Sequence, residues 1–259
     1  MIQFTSSRPA LIAYVTCGDP DLATTRDVVL AAIDAGADLI ELGVPFSDPV
    51  ADGPVIQRAS ERALGKGVTL EQVLRLAASI RRRTRAGLIV FSYFNPVLQF
   101  GLDRFAATAA DAGLDGALIT DLTVEEASEY LRRMRARKLA TVFLAAPTST
   151  DARLRVIARA STGFVYAVSR TGVTGTHKQL TSDGRSLVRR LRRFTKLPIA
   201  LGFGISTPAQ FRAAGQFADG VVVGSAIVQA IERSDRRHAA RAVAELVGKM
   251  KKAAISDKQ

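Results

Sequence analysis

Short apolar runs alternate along the chain with longer stretches in which apolar residues recur at helical spacing. Eight such pairs follow one another, which predicts eight strands, each followed by a helix. The runs are almost continuously hydrophobic, as expected of parallel strands that are buried on both faces. The predicted strands span residues 10–16, 38–44, 87–93, 116–120, 140–145, 164–168, 198–202 and 220–223.

Capping residues mark the predicted helix starts. Thr69 and Thr123 are each followed within three residues by glutamate or glutamine, and Thr207 precedes a proline suited to a first helical position. An open doubly wound sheet is the competing architecture, but no G-x-G-x-x-G follows the first strand. We therefore predict one domain over residues 1–259, a (β/α)8 TIM barrel with its chemistry at the C-terminal ends of the strands.

The composition fits such a barrel. The 259 residues are 47% hydrophobic, enough for a large core. The single Cys17 excludes a disulfide within the chain, and His177 and His238 are too far apart in sequence to indicate a metal site. No apolar run approaches the ~18 residues of a membrane span. We expect a cytoplasmic protein that holds no metal and does not contact a membrane.

The formal net charge of +12 raises the question of nucleic acid. The basic residues form clusters at 81–83, 132–138, 189–196 and 233–241. Each cluster belongs to a different predicted helix, in which basic and apolar residues alternate. A nucleic-acid-binding protein gathers its charge on one face instead. We interpret the clusters as outward helix surfaces and expect no nucleic-acid partner.

Two carboxylates stand where the barrel would place its chemistry. Glu41 interrupts a predicted strand and faces the same side as Leu39, which can be the interior. The predicted strands contain no arginine or lysine to pair with it, which favours a functional role, and burial should raise its pKa. The proline-rich loop 45–54 then carries Asp48 and Asp52. Each aspartate, taken alone, is explained equally well as a turn residue.

Two glycine-rich segments follow the last two predicted strands, GFGIS at 202–206 and GSA at 224–226. Barrels of this type often bind phosphate with these two loops and a helix N-terminus. Glycine lets backbone N–H groups approach phosphate oxygens, and a serine hydroxyl adds a donor. We therefore predict a phosphate site at strands seven and eight, with Gly204, Gly224 and Ser225 as candidate ligands.

Two aromatic residues lie near these candidates in the predicted fold. Tyr166 is on the sixth strand and Phe203 stands between the glycines, so either can wall a flat ligand, although core packing is the commoner role. Cys17 has no histidine placed to activate it, and we interpret it as a packing residue. Residues 169–176 mix glycines with hydroxyl groups and are interpreted as a lid, with a plain surface loop as the alternative.

Several motifs together resemble the tryptophan synthase α subunit family. In chain order they are YVTCGDP at 14–20, ELGVPFSDPVADGP at 41–54, YFNPVLQFG at 93–101, SRTGVTG at 169–175, LGFGIS at 201–206 and VVGSAIV at 222–228. The resemblance implies cleavage of indole-3-glycerol phosphate into indole and glyceraldehyde 3-phosphate. A Schiff-base route needs a pocket lysine, whereas Lys138 and Lys196 precede strands at the opposite face and Lys178 lies in the predicted lid. A metal route lacks clustered ligands. Acid–base catalysis by two carboxylates remains.

The resemblance also implies residue roles. Glu41 would protonate indole C3 and take the proton of the glycerol hydroxyl, and Asp52 would hold the indole N–H. The remaining roles are an indole pocket of Tyr166 and Phe203, phosphate binding by Gly175, Gly204, Gly224 and Ser225, and contact of Asp48, Pro49, Asn95 and Pro96 with a β subunit. That subunit would carry pyridoxal phosphate in an αββα heterotetramer, and this chain would need no cofactor.

Two departures from the family pattern and three alternatives accompany this hypothesis. The chain reaches its first strand where the family usually has a leading helix, and Thr123 stands where the family usually has proline. The alternatives are a lyase that releases indole without a β subunit, a non-catalytic barrel that activates a partner, and a barrel for another phosphorylated substrate. The two carboxylates argue against the second alternative, and the third leaves the motif at 41–54 unexplained.

Overall fold

The computed structural model of the chain describes residues 4, 9–168, 177–202 and 204–255. Within them, eight parallel strands close into a barrel in which each strand pairs with its sequence neighbours and the eighth pairs with the first. The strands are β1 (Ala10–Thr16), β2 (Leu39–Gly43), β3 (Gly87–Ser92), β4 (Gly116–Ile119), β5 (Ala140–Ala145), β6 (Val165–Val168), β7 (Ile199–Gly202) and β8 (Gly220–Val223). The predicted (β/α)8 barrel is confirmed, with predicted strand ends right to within one residue.

One or two helices follow each strand, and together they form the outer ring. In the described residues they are α1 (Leu22–Asp34), α2 (Pro54–Leu64), α3 (Leu70–Arg81), α4 (Phe94–Phe100), α5 (Leu102–Asp111), α6 (Ser128–Ala136), α7 (Asp151–Ala160), α8 (His177–Leu191), α9 (Pro208–Gly215), α10 (Ser225–Glu232) and α11 (Ala239–Ile255). No helix in this described part combines the length and the apolar character that crossing a bilayer requires.

Two of the three predicted helix caps are confirmed. Thr69 and Thr207 each form a capping box, with Gln72 and Gln210 respectively. The prediction for Thr123 is wrong, because the chain makes a turn at 124–126 and α6 begins only at Ser128. The Thr123 hydroxyl instead donates to a carboxylate oxygen of Glu126 at 3.1 Å. A threonine three residues before a glutamate suits a turn as well as a helix start.

Alternate side chains of the strands divide the core into two layers. One set, including Leu11 and Ile40, packs outward against the helices. The other set fills the barrel interior and includes Ile12, Leu39 and Phe164, whose ring lies 5.6 Å from that of Phe4. This two-layer arrangement follows from the period of two along each strand. Glu41, two residues after Leu39, therefore belongs to the interior.

Aspartates close the N-terminal face of the barrel. The carboxylate of each accepts the N–H of a residue on the preceding strand: Asp38 from Leu11 at 2.7 Å, Asp115 from Leu88 at 3.0 Å and Asp219 from Ile199 at 2.7 Å. Each carboxylate also pairs with a basic side chain, from Lys251, Arg81 and Arg192 respectively. These repeated links hold the strand starts together at the face opposite the expected chemistry.

Arg81 corrects part of the interpretation of the basic clusters. Its side chain is only 24% exposed, and its guanidinium donates to the carbonyl oxygens of Gly113, Thr84 and Ala86 as well as to Asp115. Thr84 and Ala86 lie in the turn between α3 and β3, whereas Gly113 lies in the turn between α5 and β4, so the guanidinium joins the two turns. Arg81 is a structural link rather than a solvated surface charge.

Candidate active site

Glu41 lies in the middle of β2 with a fully buried side chain. Neither of its carboxylate oxygens has a hydrogen-bond partner among the described residues. Burial raises the pKa of Glu41 to about 8, as expected from the sequence, because an ion without a partner is unfavourable in an apolar interior. At neutral pH the group is therefore mainly a carboxylic acid, ready to give a proton to a ligand in the barrel.

Asp52 lies in the loop between β2 and α2, at the C-terminal face. Its side chain is half-buried, and burial raises its pKa to about 6, an effect partly offset by a hydrogen bond from Tyr93. The Gln57 side-chain amide donates to the Asp52 carbonyl oxygen at 2.9 Å and so fixes the backbone. The higher pKa of Glu41 and the lower pKa of Asp52 allow one group to be protonated while the other is ionised.

Tyr93 is a site residue that the sequence reasoning missed. It follows β3, and its hydroxyl donates to Asp52 Oδ2 at 3.1 Å while the Tyr93 hydroxyl oxygen accepts the N–H of Ala51 at 2.9 Å. Its ring stacks on Phe46 at a centroid distance of 5.0 Å. The two rings and the two hydrogen bonds fasten the proline-rich loop to the barrel. The sequence pattern that could have identified Tyr93 is its position directly after β3, the strand next to β2, which the proline-rich loop follows.

Tyr166 is buried on β6 and faces the interior, and its role as a wall of the ligand site stays a prediction. A side chain at Gly202, on the neighbouring β7, would collide with the Tyr166 hydroxyl. The glycine is thus required for the ring to reach across the barrel mouth. Phe203, the second predicted wall residue, lies outside the described residues.

The predicted phosphate ligands fall at the ends of β7 and β8, which are neighbouring strands. Gly204 has a φ of +81°, a conformation that favours glycine. Gly224 precedes the first residue of α10, Ser225, so the N–H groups of the first helical turn point to the mouth of the barrel. A side chain at Gly224 would meet only ordinary contacts, the nearest being Tyr14 Cβ at 3.5 Å. Packing therefore does not require a glycine at this position, and its role in phosphate binding stays a prediction.

Gly175 and the predicted lid at 169–176 lie outside the described residues. The lysines that bear on a Schiff-base route are placed as expected: Lys138 and Lys196 are exposed and precede β5 and β7. Lys251 is buried but lies at the N-terminal face, and Lys178 is the second residue of α8. In the same part of the chain, no three histidine, cysteine, aspartate or glutamate side chains form a group that could hold a metal ion.

Two adjoining segments at the C-terminal face expose apolar side chains. Val50 is 85% exposed in the loop after β2, and Leu98 is 51% exposed on α4. They stand beside the predicted contact residues; of these Asp48 and Asn95 are exposed and Pro49 and Pro96 are half-buried. The hydrogen bond from Ala51 to Tyr93 joins the two segments. The stacking of Phe46 on Tyr93 also holds the loop beside the start of α4.

Comparison with known proteins gives a consistent result. The family model described as tryptophan synthase alpha chain matches residues 3–255. A tryptophan synthase alpha chain from Solibacter usitatus is 55% identical over 228 residues, 88% of this chain and 85% of that protein. A structure of Mycobacterium tuberculosis tryptophan synthase superimposes with a TM-score of 0.88 at 38% identity, covering 95% of this chain and 93% of that chain. A chain of the Pyrococcus furiosus tryptophan synthase complex gives 0.86 at 36% identity, with 96% and 100% covered.

Proposed function

Because this chain belongs to the tryptophan synthase alpha chain family, we propose that Glu41 and Asp52 carry out the family's reaction in it. As a member, the chain is a carbon–carbon lyase of tryptophan biosynthesis that cleaves indole-3-glycerol phosphate to indole and glyceraldehyde 3-phosphate. The observation that carries the residue assignment is the buried Glu41 carboxyl, which has no hydrogen-bond partner in the described part of the barrel. Such a group is stable chiefly in its acid form, and both of its oxygens can interact with a bound ligand.

Glu41 acts first as an acid. Its O–H proton passes to indole C3, which becomes tetrahedral and leaves a positive charge on the ring nitrogen. The Glu41 carboxylate formed in this step then takes the proton from the hydroxyl on the carbon attached to C3. The O–H electron pair becomes the aldehyde C=O, the C–C bond breaks, and its electron pair returns to the ring to restore indole. Glu41 ends the cycle protonated, so no external acid or base is consumed.

Asp52 acts through the negative charge of its carboxylate on the indole ring. As C3 is protonated, the indole N–H becomes cationic, and an ionised carboxylate that accepts its hydrogen bond stabilises that state. The pKa of Asp52, about 6, keeps it ionised at neutral pH while Glu41 remains protonated. Tyr93 holds the carboxylate in place through the 3.1 Å hydrogen bond.

The remaining residues bind the substrate. We assign the two walls of the indole pocket to Tyr166 and Phe203, supported by the burial of Tyr166 in the barrel interior. The phosphate is assigned to Gly175, Gly204, Gly224 and Ser225, supported by the position of α10, whose N-terminal N–H groups carry partial positive charge at the barrel mouth. Holding the ligand at both ends sets the scissile bond above Glu41.

The chain works with a tryptophan synthase β subunit, as its relatives in tryptophan synthase complexes do. We assign the contact to the surface around Asp48, Pro49, Asn95 and Pro96, supported by the exposed Val50 and Leu98 beside them. The αββα stoichiometry, the placement of pyridoxal phosphate on the partner, the lack of a cofactor in this chain and a cytoplasmic location are part of the same proposal.

Indole release from indole-3-glycerol phosphate tests the assignment directly. Glu41→Gln should lower kcat by at least about a hundredfold, because it removes the group that transfers the proton. Asp52→Asn should lower kcat by roughly tenfold or more, because it removes the charge that stabilises the indole cation. Glu61→Gln on α2 and Asp111→Asn on α5 are matched controls, because both acids are exposed away from the interior. Full turnover by Glu41→Gln would refute the mechanism.

A further inference from the structure

A second buried polar group faces the interior beside Glu41. Tyr14 on β1 is the register partner of Glu41 on β2, and both belong to the inward-facing set. The Tyr14 ring meets Phe91 edge-on at 5.0 Å and extends over Gly43, where a methyl group would collide with the hydroxyl. Gly43 is two residues beyond Glu41 on the same inward line of β2. The phenol therefore reaches from the level of Glu41 toward the mouth of the barrel.

The hydroxyl of Tyr14 has a proton to give. It accepts a weak hydrogen bond of 3.4 Å from the Thr16 hydroxyl, but no described residue accepts the Tyr14 proton in turn. A buried donor left unpaired costs about 1–3 kcal/mol. A ligand or a transient charge in the barrel can supply the missing acceptor.

Glu41 is the matching acceptor. Both of its oxygens lack a partner among the described residues. Below it, toward the N-terminal face, the interior is apolar, with Leu39, Phe164 and Phe4 as the floor. Among the described residues, a carboxylate formed at Glu41 thus meets apolar side chains below it and the Tyr14 hydroxyl on the side of the mouth. Asp52 already accepts from Tyr93 and has less need of this donor.

We propose that Tyr14 is a positioning residue whose hydroxyl donates a hydrogen bond to the Glu41 carboxylate at the moment that carboxylate forms. The inference rests on the proposed function, in which Glu41 loses its proton to indole C3 and regains one from the substrate hydroxyl. Tyr14 remains protonated throughout, and no bond to it is made or broken. Its effect is to stabilise the ionised form of Glu41, which exists only within the catalytic cycle at neutral pH.

The other titratable groups that face Tyr14 and Glu41 do not change their protonation in the alkaline range where Glu41 does. They are Asp52 from the loop after β2, Tyr166 from β6 and Cys17 after β1. Burial raises the pKa values of Cys17 and Tyr166 well above their ordinary range, so both stay protonated. Asp52 titrates near 6 and Glu41 near 8. An alkaline change in activity is therefore assigned to Glu41.

The test is the pH profile of kcat/KM for indole release by the full chain with its β subunit, comparing wild type with Tyr14→Phe. Losing the donor should lower kcat by roughly tenfold and also move the alkaline limb upward by about one pH unit, since a donor to a carboxylate lowers its pKa. Tyr130→Phe is the matched control, because Tyr130 is equally buried but donates to the Ala117 carbonyl outside the barrel interior. If Tyr14→Phe lowers the rate but leaves the alkaline limb in place, Tyr14 acts through packing alone, and the proposal is overturned.

An isosteric replacement keeps the test decisive if Tyr14→Phe does not fold. Incorporation of 3-fluorotyrosine at residue 14 preserves the ring and makes its hydroxyl a stronger donor, so the alkaline limb should move downward. An unmoved limb would contradict the proposal. If wild type releases indole and Glu41→Gln does not, while neither change at Tyr14 moves the limb, the role of Tyr14 fails and the proposed function stands. If Glu41→Gln is fully active, the proposed function itself fails.

Discussion

Tyr93 holds Asp52 and the backbone next to it with a single oxygen atom, which donates to Asp52 Oδ2 and accepts from the Ala51 N–H. Tyr93→Phe removes both bonds and keeps the ring stacked on Phe46. We expect roughly a tenfold fall in kcat/KM, because a hydrogen bond to a charged group is lost. The pKa of Asp52 should rise above about 6, since the bond from Tyr93 lowers it. An acid limb of the pH profile that stays in place would argue against this role.

The wild-type pH profile should be bell-shaped. Asp52 must be ionised to stabilise the indole cation, so activity should rise through about pH 6. Glu41 must be protonated to act as the acid, so activity should fall through about pH 8. The measurement is kcat/KM across pH 5 to 10 at constant ionic strength, with enzyme stability checked at each pH. Activity that stays constant through the alkaline range would exclude Glu41 as the initial acid.

Glu41 should also reduce the stability of the fold as the pH rises. Its pKa is about 8 in the folded chain and about 4.3 when unfolded, so the folded state binds the extra proton between these values. The stability associated with that proton is fully present below the unfolded pKa and is lost as pH rises toward the folded pKa. Glu41→Gln should therefore be more stable than wild type at pH 8.5, by about 2–5 kcal/mol, and nearly equal to it at pH 4.5.

Denaturant unfolding of both proteins at the two pH values measures that difference. Glu61→Gln, at an exposed position of α2, should show no such dependence. If the gap between Glu41→Gln and wild type is the same at both pH values, the carboxyl is not held in its acid form by burial.

Gly202→Ala tests why the glycine is needed beside Tyr166. The added methyl would collide with the Tyr166 hydroxyl, so the ring must shift from the barrel mouth. We expect a loss of stability of about 1–3 kcal/mol and a higher KM for indole-3-glycerol phosphate. Gly248→Ala on α11 is the matched control, since its methyl meets open space and should stabilise the helix by roughly 0.5–1 kcal/mol. An unchanged KM in Gly202→Ala would remove Tyr166 from the substrate pocket.

Local regularities made much of the fold and part of the site predictable. The period of two along β2 placed Glu41 inside, and the absence of basic residues on the strands implied a carboxyl without a partner. The link between Tyr93 and Asp52 was not predictable, because it joins residues 41 positions apart and depends on the path of a loop. Arg81 was misread for a related reason, since helical spacing does not reveal which carbonyl groups lie beyond the helix end. The assignments for Asp48, Pro49, Asn95 and Pro96 stay predictions.

The pairing of Asp38 with Lys251 bears on how the chain matures during synthesis. The two residues are 213 positions apart, and the same aspartate oxygen also accepts the Leu11 N–H between β1 and β2. At a translation rate of about 5–20 residues per second, Asp38 stays without its lysine for at least about ten seconds after it is made. The first strands therefore emerge from the ribosome before the helix that completes their N-terminal face. Premature termination within α11 should yield a barrel that is open to proteolysis at its first two strands.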